Sequence, residues 1–175
     1  MIPVLETERL LLRGWRASDV EAAAPFFADE NLTRYIGGGS PREDVWRRIS
    51  SIAGHWVLRG HGLWALERKQ DGRLIGWCGL LSPEGWPEPE LGWSLFGEAQ
   101  GQGYATEAAL RARSHAYETL GWTTLISLIH PDNAPSIRVA ERLGASRESD
   151  FVIRGTQVGI YRHPSAEDLC KGDAA

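Results

Sequence analysis

The sequence holds only two cysteines, Cys78 and Cys170, among 175 residues. One falls in a strand pattern and the other in the C-terminal tail, so neither a disulfide framework nor a paired-cysteine metal site is expected. No His-Glu-x-x-His pattern occurs either, and no metal is expected. No apolar run approaches the roughly 18 residues that a membrane span needs, and no charged-then-apolar leader opens the chain. A basic excess is also missing. The formal charge of −4 is the reverse of what a general nucleic-acid binder carries. Glycine (20) and proline (9) are plentiful but scattered between periodic segments, with no linker, repeat or low-complexity tract. These absences predict a soluble cytoplasmic protein of one domain, residues 1–175, without membrane or nucleic-acid partners. Its length suffices to bury about 70% of the unfolded surface.

Two more absences narrow the ligand chemistry. A P-loop occurs nowhere, and a dinucleotide fingerprint counted from Gly101 fails at Thr106, where glycine or alanine is required. What stands there instead organises the chain. Leu91, Trp93 and Leu95 alternate with Glu90, Gly92 and Ser94, the period of a strand. Past the glycines, Ala105, Ala108, Ala109, Ala112 and Ala116 recur at helical spacing, giving a face small enough to lie close on a sheet. The start of such a helix offers unpaired N–H groups and a positive dipole end, and Gly101 and Gly103 let a ligand approach. This is a candidate anion site, most plainly for phosphate. A glycine turn before an ordinary packing helix is the alternative.

Taken in order, residues 7–16 read as a first strand. Ser18 to Glu21 and Ser40 to Glu43 read as two capping boxes, the first opening a helix to about Phe27 and the second placing Pro41 at a first helical position. Val45, Trp46, Ile49, Ile52, Ala53, Trp56 and Val57 fall on one face of that second helix, with His55 beside it as a hydrogen-bonded histidine. Gly37 to Gly39 form a loop. Residues 63–67 and 74–81 read as strands joined at Asp71-Gly72, a hairpin signal. Glu84, Trp86 and Glu88 lie in a loop leading into the strand of Glu90. The central helix should end near Leu120-Gly121. Leu125 to Ile129 is an apolar run suited to a buried parallel strand, so strand, helix and strand imply a right-handed crossover. Asp132 to Ser136 opens a helix with Ile137, Ala140 and Leu143 inward, stopped by Gly144. Residues 146–162 hold two strands, and the tail from His163 should be frayed.

Gln100-x-x-Gly103-x-Ala105 resembles the Q/R-x-x-G-x-G/A signature of the GNAT superfamily of N-acetyltransferases. The longer run Gly101 to Ala108 is similar to the branch that acetylates ribosomal-protein and other N-termini (RimJ/RimL-like). A second stretch, Asn133-x-x-Ser136-x-x-Val139-x-x-Arg142-Leu143-Gly144-Ala145, resembles the family's N-x-x-S…L-G-F segment, with Ala145 where phenylalanine is usual. In order, the resemblance covers about residues 5–160.

The resemblance implies an α/β fold of the α+β kind. Its central mixed, largely antiparallel sheet has helices on both faces and a parallel pair, strands four and five of the family, that splays apart. It implies acetyl-coenzyme A in that gap, with backbone groups of Leu95 and Phe96 bonding the pantetheine amides. The diphosphate would rest on Gln100, Gly101, Gln102, Gly103, Tyr104, Ala105 and Thr106, with Asn133 and Ser136 completing the cofactor set. Gly97 stands where proline is frequent. Direct transfer to an amine follows, without a covalent intermediate. Accordingly Gly92-Trp93-Ser94-Leu95-Phe96 fails as a nucleophile elbow at its last position, and Cys78 reads as a small core residue.

Ser136 is the candidate to protonate or hydrogen-bond the leaving thiolate. Glu90 is the favoured base, with His130 or water as alternatives. Glu84, Glu88 and Glu90 together would favour a cationic amine. The expected acceptor is a protein or peptide N-terminal amino group. A small amine of the aminoglycoside or polyamine type, and a non-catalytic acetyl-coenzyme A sensor, are the competing readings. A homodimer stays open.

Overall fold

Strand period and turn chemistry build one eight-stranded sheet in the computed structural model, which describes residues 1–172. In spatial order its strands are β1 (Leu5–Glu6), β2 (Leu10–Arg13), β3 (Leu63–Arg68), β4 (Arg73–Leu81), β5 (Glu90–Leu95), β6 (Ile126–Ile129), β8 (Thr156–Arg162) and β7 (Ser146–Ile153). Every neighbouring pair is antiparallel except β5 and β6. The first strand expected over 7–16 is therefore two short pieces. Thr7 makes the break, because its N–H and hydroxyl both turn back to the Leu10 carbonyl.

Helices cover both faces. Helix α1 (Asp19–Ala28), the single turn α2 (Glu30–Thr33) and α3 (Arg42–Arg59) lie on one side. There Phe27 stacks on Trp77 of β4 at 5.3 Å, with Phe26 edge-on at 5.5 Å. Helix α4 (Tyr104–Glu118) covers the other side, and its five alanines at 105, 108, 109, 112 and 116 are all buried. Helix α5 (Ala134–Arg142) packs beside it, and the buried Arg113 of α4 donates to the Leu143 carbonyl at the C-terminal end of α5, where a cation suits the dipole. Helix α6 (Ala166–Gly172) follows the sheet. The edge strand β7 carries Arg147, Glu148 and Asp150, charges that discourage further strand pairing.

Several expectations need correction. Neither capping box forms. Ser18 already has helical dihedrals (φ −65°, ψ −20°), and its neighbour Asp19 instead accepts from the Arg16 N–H at 2.7 Å. Pro41 occupies the N-cap itself (φ −69°, ψ 163°), one position earlier than expected. Trp46 and Val57 do not join the inner face of α3; they are 59% and 84% exposed. The tail is not frayed from its start, since His163 is buried, and its N–H and Nε2 meet the Leu125 carbonyl and the Ser127 hydroxyl. Residues 173–175 of that expectation lie outside the described residues. His55 does bridge backbone as expected, through Nδ1 to the His61 carbonyl and Nε2 to the Ser82 N–H.

Candidate active site

The parallel strands β5 and β6 meet at one register, Glu90 opposite Ile126, anchored by Ile126 N–H to the Pro89 carbonyl at 3.1 Å. A continuing ladder would next give the Leu128 N–H to the Leu91 carbonyl. Instead the Leu128 N–H donates to Glu90 Oε1 at 3.3 Å, and Leu91 receives the Ser127 hydroxyl at 2.6 Å. Two side chains thus take over the ladder bonds, and the strands part beyond them. Phe96 N–H donates to the Ile75 carbonyl at 2.8 Å, so even-numbered residues of β5 face β4. Leu91, Trp93 and Leu95 therefore direct their backbone groups into the gap. Leu95 is placed as expected, although its carbonyl already accepts from Gln100 Nε2 at 3.0 Å. Phe96 is not: its donor is committed to the sheet. Trp93 takes its place, and the two-residue period contained that signal.

At the far end of the gap the chain turns through Gly101 (φ 75°) and Gly103 (φ 83°), left-handed positions that favour glycine. The first intrahelical bond of α4 runs from Glu107 N–H to the Gly103 carbonyl at 3.1 Å. The N–H groups of Tyr104, Ala105 and Thr106 are left for a ligand. Tyr104 and Ala105 bury their side chains, so they contribute backbone only. Gln102 Nε2 braces the turn on the Glu98 carbonyl at 2.8 Å. The sequence reading missed Glu107, which clamps the β1–β2 loop to this helix start. It accepts from the Thr7 hydroxyl, the Arg9 N–H at 2.9 Å and Arg9 Nε at 2.6 Å. Burial pushes this carboxyl up, but those donors outweigh it and hold its pKa below the usual range. Arg9 also lies over the Tyr104 ring at 4.4 Å and donates to the Gln102 carbonyl, which brings a cation to the helix start. Valine at Gly103 would combine a branched side chain with a positive φ and crowd Arg9 Nη2, 3.4 Å from the new Cβ. Calorimetry of Gly103→Val should show acetyl-coenzyme A affinity lower by about tenfold or more, and unchanged affinity in the folded variant would remove this assignment.

The other side of the splay point is built around Glu90. Only 8% exposed, it accepts from Trp86 Nε1 as well as from Leu128. Burial raises its pKa above the usual carboxylate value, and the two hydrogen bonds only partly offset that. Asn133 caps α5 by accepting from the Ser136 N–H at 3.3 Å, so its side chain is spent on the helix end. The half-buried Ser136 keeps its hydroxyl free of protein partners among the described residues. His130, just past β6, lies 5.0 Å from the Tyr35 ring, and its Nδ1 accepts from the Asp132 N–H. Tyr35 in turn donates to the Asp132 carbonyl at 3.0 Å, tying the loop after α2 to the loop after β6. The acidic loop is partly paired, although Glu84 stays 95% exposed. Glu84 pairs with Arg59, and Glu88 is held bidentately by Arg162, which keeps its carboxyl well below the usual range. A groove of about 680 Å³ opens elsewhere, between α1 and the turn at Gly97, and its Arg13, Arg16 and Arg73 pair with Asp19, Glu67 and Glu98.

Residues 9–146 match the acetyltransferase (GNAT) domain family. The chain belongs to the GNAT acetyltransferases. It is 30% identical over 152 residues to an uncharacterized N-acetyltransferase, YoaA, of Bacillus subtilis (strain 168), covering 85% of each chain. An acetyltransferase structure from Agrobacterium tumefaciens str. C58 is 34% identical with a TM-score of 0.83, covering 93% of this chain and 95% of that one. A ribosomal-protein-S5-alanine acetyltransferase structure from Vibrio fischeri shares the fold at TM-score 0.73 and 17% identity, covering 95% and 98%. The GNAT family uses acetyl-coenzyme A as donor, and the mixed sheet with its splayed parallel pair is the GNAT fold. Among the described residues, no helix is long and apolar enough to cross a membrane.

Proposed function

We propose that this GNAT enzyme acetylates the α-amino group of a protein or peptide N-terminus, in the manner of the RimJ/RimL-like branch, within the cytoplasm where its donor is supplied. The observation that carries this reading is that two of the three entrance carboxylates are paired with arginines. Polyamines and aminoglycosides bring several positive charges, whereas here Arg59 and Arg162 already occupy Glu84 and Glu88. Only Glu90 stays without a cationic partner, which suits one amine at the end of a chain.

The open N–H groups of residues 104–106, with the glycine turn, fit a diphosphate, and the backbone of Trp93 and Leu95 fits an extended amide arm. Bound acetyl-coenzyme A supplies the thioester. Glu90 takes a proton from the incoming ammonium, directly or through water, and the Ser136 hydroxyl stands at the start of α5 to hydrogen-bond the departing sulfur. Holding amine and thioester in attack geometry accounts for most of the rate, up to roughly 7–11 kcal/mol.

Thiol release measured with unmodified peptides, polyamines and aminoglycosides tests the reading. Peptides should show kcat/KM about tenfold or more above the small amines, with the acetyl group on the terminal nitrogen by mass spectrometry. Preference for a polyamine, or no steady release with any amine, would overturn it.

A further inference from the structure

Arg154 of the β7–β8 turn, beside Glu90, has no carboxylate partner among the described residues, and neither has Arg48 of α3. The guanidinium of Arg154 lies over the Trp86 ring at 5.2 Å, and the same indole donates to Glu90. Arg48 rests on the Phe27 ring at 4.9 Å and donates to the Ile36 carbonyl at 3.2 Å, beneath the glycine loop. Its Nη2 reaches to 3.3 Å from where a Cβ of Gly37 would stand. The nearest acid on its own helix, Asp44, is already paired with Arg47. Burial and the positive charge of Arg154 both depress the Arg48 pKa, and Asp44 opposes them.

The turn that carries Arg154 adds a second, independent observation. Ile153 pairs with Thr156, so Arg154 and Gly155 form a two-residue hairpin turn with φ of 51° and 79°. Both positive values define a type I′ turn, where asparagine followed by glycine is favoured. Arg154 is the only non-glycine residue with positive φ among the described residues. A long cation held in an unfavourable backbone region, stacked on an indole of the site, points to a role at that site.

We propose that the acceptor carries a carboxylate on its first or second residue, gripped by Arg154 on the Trp86 ring beside Glu90. The inference rests on the peptide N-terminal reading above and specifies its substrate class. Arg154 lies over the indole at 5.2 Å, while Glu90 takes the Nε1 hydrogen at the ring edge. That spacing suits a side-chain carboxylate near the reacting amine better than the α-carboxylate of a free amino acid, which lies directly beside its own nitrogen.

The test compares peptides that begin Ser-Glu, Ser-Gln and Ser-Lys and are otherwise identical, with free glutamate and glutamine as small-molecule arms. In the wild type, kcat/KM for Ser-Glu should exceed that for Ser-Gln by about tenfold, mainly through KM, and the ratio should fall as salt is raised. In Arg154→Asn, which installs the residue this turn favours and so should fold, the ratio should drop close to one. Arg154→Lys should restore much of it. A wild-type ratio of one or less, or an unchanged ratio in Arg154→Asn, would overturn the arginine assignment even if peptides prove good acceptors. Acetylation of glutamate but of no peptide, with the same dependence on Arg154, would keep the anion grip and overturn the peptide reading.

Discussion

Replacing Glu90 by glutamine should lower turnover by about 10²-fold or more while leaving acetyl-coenzyme A affinity within about twofold of the wild type. The single amide oxygen can keep only one of the bonds from Trp86 Nε1 and the Leu128 N–H, so the cofactor affinity is the control that shows whether the splay point keeps its geometry. What disappears is the ability to take a proton. A base must be ionised to act, and burial raises the pKa of Glu90. The acidic limb of kcat/KM should therefore rise with pH through a value above the ordinary carboxylate range, and activity should be lost as pH falls through it. Glutamine has no such ionisation, so the limb should vanish from the residual activity. Equal turnover at every pH in Glu90→Gln would leave Glu90 as a wedge between β5 and β6 and nothing more. Ser136→Ala tests the other proton-transfer role by the same assay, with unchanged turnover removing it.

Asp19→Ala should cost about 3–5 kcal/mol of stability, the largest single loss expected outside the active site. Asp19 and Arg13 are both almost fully buried, at 4% and 5% exposure. Arg13 Nη1 and Nη2 donate to the two Asp19 oxygens at 2.8 and 2.9 Å, and its Nε donates to Glu67 at 2.6 Å. Desolvation works against the guanidinium, but the hydrogen bonds to Asp19 and Glu67 prevail and raise its pKa. Removing Asp19 strands part of that guanidinium and also frees the Arg16 N–H at the start of α1. Out of a total of roughly 5–15 kcal/mol this is a large fraction. Chemical denaturation is the measurement. A loss under about 1 kcal/mol would show that Glu67 alone compensates Arg13.

Much of the fold was legible because it depends on residues close in the chain. The two-residue period of β5, the Asp71-Gly72 turn and the alanine face of α4 each rest on neighbours within a few positions. The same is true of the glycine turn, whose left-handed Gly101 and Gly103 expose donors wherever the helix is placed. Local reading failed where a local pattern had a distant competitor. Ser18 and Glu21 spell a capping box, yet Arg13, itself held by Glu67, draws Asp19 into the core and shifts the start of α1. The acidic run before β5 failed for the same reason: residues 88 and 162 are far apart in sequence but bonded in space.

By itself, then, the sequence determined most element types, the glycine turn at the start of α4 and the place of Glu90 at the mouth of β5. Period and turn chemistry act over a handful of residues, and composition cannot hide them. Only the tertiary structure decided which charges remain free there. It paired Glu84 with Arg59 and Glu88 with Arg162, clamped Arg9 to Glu107, and left Arg154 without a carboxylate partner beside Trp86. A charge is read correctly only with its partner, and the sheet order brings those partners together from opposite ends of the chain.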